Sequence, residues 1–517
     1  MTIPVVDLFS GPGGLGEGFA SLDDGTTFRI VVSAEKDPAA HETLQLRSYF
    51  RHIKNHEHDL RVYYDFCNGK TQVPWNAQTK KAWKAAEDEV RLLTLGTQSD
   101  NKVMDGLFSA RLNNKKDCVL IGGPPCQAYS LAGRSRNIGK ENYRPEDDDR
   151  HFLYREYLRV IQQVRPAVFV MENVKGILSS RVGDNQIFHE ILKDLADPNA
   201  ALSGKKKGKE LGYRILSLTS DTVYAKGVDP ESIDPKSFVI KTEDYGIPQA
   251  RHRVILLGVR EDIIGSPAKL KPSGSFTVLD AIGDMPRIRS RLSRGLDSPT
   301  NWAKAVKTHF LELTADARKH GLDDIASKLD EAAGWINPDS SYGSLRCTEQ
   351  TVSFNQPKPL RTWYHDSNLA VVLNHESRGH MSSDLRRYAF AAAYGAVNKV
   401  SPKGHEKFCL SGLRPNHENW ESGKFADRFR VQIANAPSTT VTSHISKDGH
   451  YFIHPDVSQC RSLTVREAAR LQTFPDNYFF MGNRTQQFHQ VGNAVPPLLA
   501  TFIARAVSNL LGGKGSQ

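Results

Sequence analysis

The opening stretch of the chain constrains its fold more than any other. Ile3 to Phe9 is a short apolar run that gives way at once to Ser10-Gly11-Pro12-Gly13-Gly14-Leu15-Gly16-Glu17-Gly18. An apolar run of this length, closed by turn residues, reads as a buried strand, and the residues beyond the turn read as a helix. Strand, glycine-rich turn and helix in succession open a doubly wound α/β domain. Glycines let a ligand approach the backbone closely, and the helix N-terminus offers unpaired N–H groups. A second strand, Phe28 to Ser33, leads to Ala34-Glu35, where a carboxylate suits the two hydroxyls of a ribose.

The alternation continues along the chain. Cys118 to Ile121 is a third apolar run and ends in Gly122-Gly123-Pro124-Pro125-Cys126-Gln127. Leu153, Tyr157, Val160, Ile161 and Val164 mark one face of a helix that stops before Pro166. Ala167 to Met171 is the next strand, closing on Glu172-Asn173-Val174, and Gln249-Ala250-Arg251-His252 leads into a strand over Arg253 to Val259. These elements imply a mostly parallel sheet. From about Pro286 to Ala434 the rhythm gives way to polar segments rich in Gly, Asn and His, and it returns in Leu463 to Gln472, where Thr464 and Glu467 form a capping-box pair. The expected organisation is a first domain over residues 1–285 with a polar insertion at about 54–116, a second, smaller domain over 286–485, and a segment over 486–517 that returns to the first.

Composition narrows the class of partner. Lys and Arg together exceed Asp and Glu by a net charge of +10, which favours a polyanion. No apolar stretch approaches the roughly 20 residues of a spanning helix, and no export signal is evident at the start, so a cytoplasmic protein is expected. Six cysteines in 517 residues, with no C-x-x-C pair, suggest neither a disulfide framework nor a zinc site. The stretch His52-Ile53-Lys54-Asn55-His56-Glu57-His58 imitates a metal site, but solvated histidines are the better reading and no metal is expected.

Chemistry concentrates at the strand ends. Cys126 comes after a strand and a loop stiffened by prolines, at the sheet edge where open α/β folds bind ligands. A thiol there needs positioning more than activation to act as a nucleophile. Glu172, at the end of the neighbouring strand, can hold or protonate a ring nitrogen. Arg251 and Arg253 alternate with His252, so both guanidinium groups share a face, suited to a phosphate or a carbonyl oxygen.

Taken together these motifs resemble the DNA (cytosine-5)-methyltransferases of bacterial modification systems. Asp7 to Gly14 is similar to that family's first motif, Gly122 to Gln127 to its nucleophile loop, and Glu172-Asn173-Val174 to its catalytic glutamate motif. Gln249 to Arg253 resembles the motif that holds the target nucleotide, and Arg466 to Pro475 and Gln490 to Pro497 resemble the last two motifs. The resemblance implies a Rossmann-like methyltransferase domain that takes S-adenosyl-L-methionine and releases S-adenosyl-L-homocysteine, beside a target-recognition domain. It makes Cys126, Glu172, Arg251 and Arg253 catalytic. It places the cofactor against Phe9, Ser10, Gly11, Gly13, Gly14 and Leu15, against Glu35 and Pro124, and against Asn493 and Val495 of the returning segment. Asp59 is the expected contact to the adenine amino group, with Asp65 the alternative, and Lys36 stands where many relatives carry a stacking aromatic.

Double-stranded DNA is the implied partner, touched through Gln127, Ser130, Gln249, Arg428 and Thr440, with Arg430, Thr439, Ser443 and His444 as further candidates. The nearest alternative substrate is tRNA. The implied reaction adds Cys126 to C6 of a flipped-out cytosine so that C5 becomes nucleophilic. A monomer in a bacterial cytoplasm is expected, with a separately encoded restriction endonuclease as its partner system.

Overall fold

The computed structural model describes residues 2–112, 117–125, 150–182, 185–203, 211–415 and 428–512. Its central sheet contains β1 (Ile3–Leu8), β2 (Phe28–Glu35), β3 (Val90–Leu92), β4 (Val119–Gly122), β5 (Val168–Val174), β6 (Tyr213–Leu216) and β7 (His252–Arg260), in the spatial order β3-β2-β1-β4-β5-β7-β6. β1 pairs in parallel with β2 and β4, β2 with β3, and β4 with β5. β7 runs antiparallel to both β5 and β6. The β3-to-β5 part of the sheet is therefore parallel, as the strand–helix alternation predicts, and the pairings from β7 onward, including the edge strands Val223–Tyr224 and Val239–Lys241, are antiparallel.

Both faces of the sheet are covered, which is why its strands read as continuous apolar runs. Val5, Val119, Ile121, Val168 and Val170 pack with Leu15, Phe19, Leu499 and Ile503 on one face. The alternate residues Val6, Leu8, Leu120, Phe169 and Met171 pack with Tyr157, Leu158 and Ile161 on the other. The helices of this lobe include α1 (Gly14–Ser21), α2 (Pro38–Ile53), α3 (Glu57–Cys67), α4 (Lys80–Glu89), α5 (Gln98–Leu112) and α6 (Arg150–Val164). α2 begins at Asp37, whose carboxylate accepts from the Ala40 N–H, with Pro38 at the first helical position.

The segment read as an insertion divides into two parts with different roles. α3 and α4 pack on α2, and Tyr63, Tyr64 and Phe66 share a cluster with Leu373 and Phe479 of the second lobe. Val90–Leu92 is the edge strand of the main sheet, in register with Ser33 to Glu35, and α5 is the crossover to β4, buried through Met104, Phe108 and Leu112. A three-residue strand behind a charged helix leaves almost no periodic signal.

The second lobe is more regular than its polar sequence suggests. α7 (Pro299–Lys319) and α8 (Asp323–Ala333) form a helical hairpin on α9 (Ser382–Asn398). Trp302, Val306, Phe310, Leu313 and Ala317 are buried at helical spacing, a stripe that the surrounding lysines and acids mask in the sequence. After the core of this lobe come α10 (Val465–Leu471), α11 (Arg484–Asn493) and α12 (Pro497–Leu510), and α12 packs along α1. The stretch Arg484–Leu510 is long and apolar enough to cross a membrane by composition, yet 72% of its most apolar 18-residue window is buried inside the protein and it is divided into two helices.

α10 starts with the predicted capping box: Thr464 accepts from the Glu467 N–H, and Glu467 accepts from the Thr464 N–H at 2.7 Å. The Glu467 carboxylate also takes two bonds from Arg461, at 2.6 and 2.7 Å, with both side chains fully buried. Burial opposes ionisation of Glu467, but Arg461 outweighs it and holds the carboxyl below its ordinary range. Removing one member of such a pair leaves a buried charge without its counterion. Glu467→Gln is expected to destabilise the protein by about 3–5 kcal/mol in a denaturant titration, more than a typical surface substitution.

Candidate active site

The turn between β1 and α1 is shaped by backbone that only small residues adopt easily. Gly11 and Gly13 have φ of +55° and +94°, and a Cβ on Gly14 would lie 2.2 Å from the Val495 carbonyl oxygen. Phe9 also has a positive φ, +54°, an uncommon setting for a bulky residue at a strand end. Glu35 ties the turn to the end of β2: one carboxylate oxygen accepts from the Gly11 N–H at 2.8 Å, and the other accepts from Lys36 and Asp37 at 2.9 and 2.8 Å. Ser10 donates to the Asp7 main-chain oxygen at 2.9 Å. The returning segment reaches the same place, with Val495 packed in the core beside Leu15 and Asn493 exposed at the end of α11.

Beneath this turn lies Asp7, only 1% exposed, with neither carboxyl oxygen hydrogen-bonded. Burial, together with nearby Glu35, raises its pKa to about 8. A buried acid with no partner below a glycine turn fits a ligand that carries a cationic or amine group, because such a group favours the ionised carboxylate.

A second set of groups gathers at the ends of β4 and β5. Because β7 is reversed, its first residues rather than its last reach this edge, and Arg253 stands opposite Val174. Arg253 meets Glu172 at 2.7 Å, both side chains nearly buried. Burial lowers the Arg253 pKa, and Glu172 works against that shift. A Cβ on Gly123 would lie 2.9 Å from the outer Glu172 oxygen, so the glycine leaves that carboxylate its place. Asn173 donates to the Pro124 carbonyl at 3.3 Å, pinning the proline loop to the end of β5. Cys126, Gln127 and Ser130 lie outside the described residues, but the loop that leads into Cys126 ends against Glu172 and Asn173.

Arg251 and Arg253 have different partners. Arg251 is 1% exposed and donates to the Val441 and Gly492 carbonyls at 2.6 and 3.2 Å. Gln249 is fully buried; it donates to Leu471 O and Gln472 Oε1 and accepts from Val441 N at 2.7 Å. Both side chains fasten the lobes together, and neither reaches the cleft. Between them Ala250, and after them His252 and Arg253, line a cavity of about 720 Å³ whose far wall is Arg430, Thr439, Thr440, Thr442, His444 and Tyr451. Thr440 donates to Ala250 O at 2.7 Å, and His252 pairs with Glu243 at 2.8 Å. Arg428 lies near Asp448, at 3.5 Å, and is not among the cavity residues.

Asp59 sits in the first turn of α3, and Asp65 on the same helix pairs with Lys70 at 3.0 Å. The third strand of the sheet ends at Leu92, so neither acid lies at a strand end. The site also includes Lys175 and Tyr451, which sequence reasoning does not single out, and Asp7, which it names only as the first residue of a motif. Lys175 adjoins the Glu172-Asn173-Val174 motif, whereas Tyr451 carries no local signal. Among the described residues no cluster of His, Cys, Asp and Glu is arranged to hold a metal.

The chain matches the model of the C-5 cytosine-specific DNA methylase family over residues 97–199 and 234–509. It is 32% identical to the type II methyltransferase M.Bpa9945I of Bacillus paralicheniformis, over 98% of this chain and 99% of that protein. It is 26% identical to the DNA (cytosine-5-)-methyltransferase M.ApeKI of Aeropyrum pernix, over 98% of each. Among solved structures, one described as a DNA modification methyltransferase encoded within an Escherichia coli prophage superposes with a TM-score of 0.53 at 19% identity, covering 99% of both chains, and so shares the fold.

Asp7 carries a prediction of its own. Its folded pKa of about 8 exceeds the ordinary 3.8, so between those values the folded protein holds a proton that the unfolded chain releases. Stability therefore falls as pH rises through that window. Asp7→Asn, without ligand, is expected to melt above the wild type at pH 8 and to lose most of that advantage below pH 4, as read by thermal denaturation across pH.

Proposed function

The chain belongs to the C-5 cytosine-specific DNA methylase family, a DNA cytosine-5 methyltransferase of the type II methyltransferase kind, and on that premise we propose how its residues divide the reaction. The observation that carries the reading is the Glu172–Arg253 pair at 2.7 Å, set beside the Gly122–Pro125 loop that leads into Cys126 and at the edge of a cavity between the lobes.

An aromatic C5 is a poor nucleophile. In the proposed reaction the Cys126 thiolate forms a bond to C6, and the electron pair of the C5–C6 double bond becomes available at C5. Glu172 bonds N3 and the exocyclic amine, stabilising charge that grows on the ring. Arg253 fixes the orientation of that carboxylate. After methyl transfer a base takes the C5 proton, the C5–H electron pair re-forms the C5–C6 double bond, and the C6–S bond breaks to return Cys126 as its thiolate.

S-adenosyl-L-methionine, when bound, supplies the methyl carbon as an electrophile. The residues around the first turn fit it: Glu35 stands at a strand end suited to a ribose diol, Asp7 lacks a partner, and the glycines from Gly11 to Gly14 leave room against Val495. Phe9, Ser10, Leu15, Pro124 and Asn493 complete the proposed contacts.

C5 and C6 are not accessible to this chemistry inside a duplex, so the target base leaves the stack, and protein contacts offset the unstacking. The inter-lobe cavity offers Lys175, His252 and Arg430 for phosphates, with Thr439, Thr440 and Tyr451 alongside. A recognition lobe with its own buried core favours duplex DNA over tRNA as substrate. The setting that fits is a bacterial cytoplasm, with a separately encoded restriction endonuclease as the cognate activity.

Glu172→Gln is expected to lower kcat by about 10²–10⁴ with little change in DNA affinity, checked by single-turnover methyl transfer. A duplex carrying 5-fluorocytosine at the target should trap a covalent complex with the wild type and none with Cys126→Ser. Absence of the trapped species from the wild type under turnover would refute the covalent route. Bisulfite sequencing of DNA from a methylase-free host expressing the chain reads the activity, the base and the sequence context together.

A further inference from the structure

We infer that Tyr478 is a positioning residue for the cofactor: it holds the Pro12 carbonyl, and through it the Gly11–Gly14 turn, in the shape that receives the methionine end of S-adenosyl-L-methionine. This rests on the proposed function, and it joins the cofactor turn to the segment that carries the recognition lobe.

Tyr478 is fully buried, and its hydroxyl donates to the Pro12 carbonyl oxygen. The same hydroxyl lies under Gly13, where a Cβ would approach it to 2.9 Å. The ring is set from both sides. The Arg47 guanidinium of α2 lies 4.8 Å from its centroid and 4.2 Å from that of Phe50. Arg47 donates to Glu17 of α1 at 2.9 and 2.5 Å and to Asn477 at 2.9 Å, so one cation joins the helix after the turn to the residue before Tyr478. From the other lobe, Arg466 of α10 donates to the Tyr478 carbonyl at 2.5 Å, and Phe474 and Phe480 pack on its ring at 4.9 and 5.4 Å.

The turn itself needs such a restraint. Gly11 and Gly13 both occupy left-handed backbone and carry no side chain to hold it, and glycine is the residue with most freedom to leave that conformation. A buried hydroxyl bound to the intervening carbonyl removes that freedom before the ligand arrives, and pre-organisation of this kind appears as affinity. Tyr478 would thus act on cofactor binding and not on the chemical step.

The test is Tyr478→Phe in the full chain, which removes one oxygen and keeps the ring. Calorimetric titration with S-adenosyl-L-homocysteine should show Kd raised about five-fold, equivalent to ~1 kcal/mol for one hydrogen bond. KM for the methyl donor should rise by a similar factor while kcat at saturation stays unchanged, a split that general loosening would not produce. Thr43→Val is the companion variant. It removes the 2.8 Å bond from Met481 N to the Thr43 hydroxyl, which crosses the same interface without touching the turn. It should lower the melting temperature and leave the analogue's Kd at the wild-type value. An unchanged Kd in Tyr478→Phe, or an equal rise in Thr43→Val, would overturn the inference. Wild-type protein that takes up no analogue would instead overturn the cofactor reading itself, a result distinguishable from an unresponsive variant.

Discussion

Five consecutive residues, Gln249 to Arg253, set the geometry on which the rest of the molecule depends. They lead into a central strand that runs against its neighbours, so the start of that strand reaches the edge where β4 and β5 end. Alternation along an extended chain then sorts the side chains. Gln249 and Arg251 point inward and bind the carbonyls and amides of residues 441, 471 and 492, which belong to the far lobe and the returning helix. Ala250 and His252 face the cleft, and Arg253 takes Glu172. One short segment therefore aligns the carboxylate, floors the cavity and fixes the lobes to each other. The buried guanidinium of Arg251 would be costly if it were not bonded to carbonyls, and those bonds make the junction specific.

The cofactor end of the site is organised on a different principle. Its polar groups are few, and one of them, Asp7, has no partner for either carboxyl oxygen. What shapes the turn is contact from elsewhere in the chain: Glu35 from the next strand, Val495 from the C-terminal segment and Tyr478 from the stretch between α10 and α11. The added helices α3 and α4 extend this pattern, since Arg346 of the second lobe donates to the Phe66 and Cys67 carbonyls at the end of α3. Among the described residues the contacts that join the two lobes include the strand Gln249–Ala250 against Ser438–Thr439, the aromatic cluster around Tyr478, and the α3 contact.

Much of this was legible in the chain. The glycine turn, the strand ends at Gly122 and Glu172, and the Thr464–Glu467 cap all depend on residues within a few positions of one another, so local pattern carries them. Legibility was lost where the signal was short or diluted. Val90–Leu92 is too brief to show a period, and the stripe Trp302, Val306, Phe310 of α7 lies among charged residues that gave the region a loop-like composition. Arg251 and Arg253 share a face, as their spacing requires, but spacing could not say that one would meet backbone carbonyls and the other a carboxylate.

By itself, then, the order of residues determined the α/β class, the position of the first glycine turn and the family of chemistry, because strand burial, turn conformation and motif residues are properties of neighbours in the chain. Only the folded molecule decided which side chains serve the cleft and which serve the frame. Gln249 and Thr440 were equal candidates as written, yet one is enclosed between lobes and the other opens on the cavity. That outcome rests on contacts between residues hundreds of positions apart, whose partners no local pattern specifies.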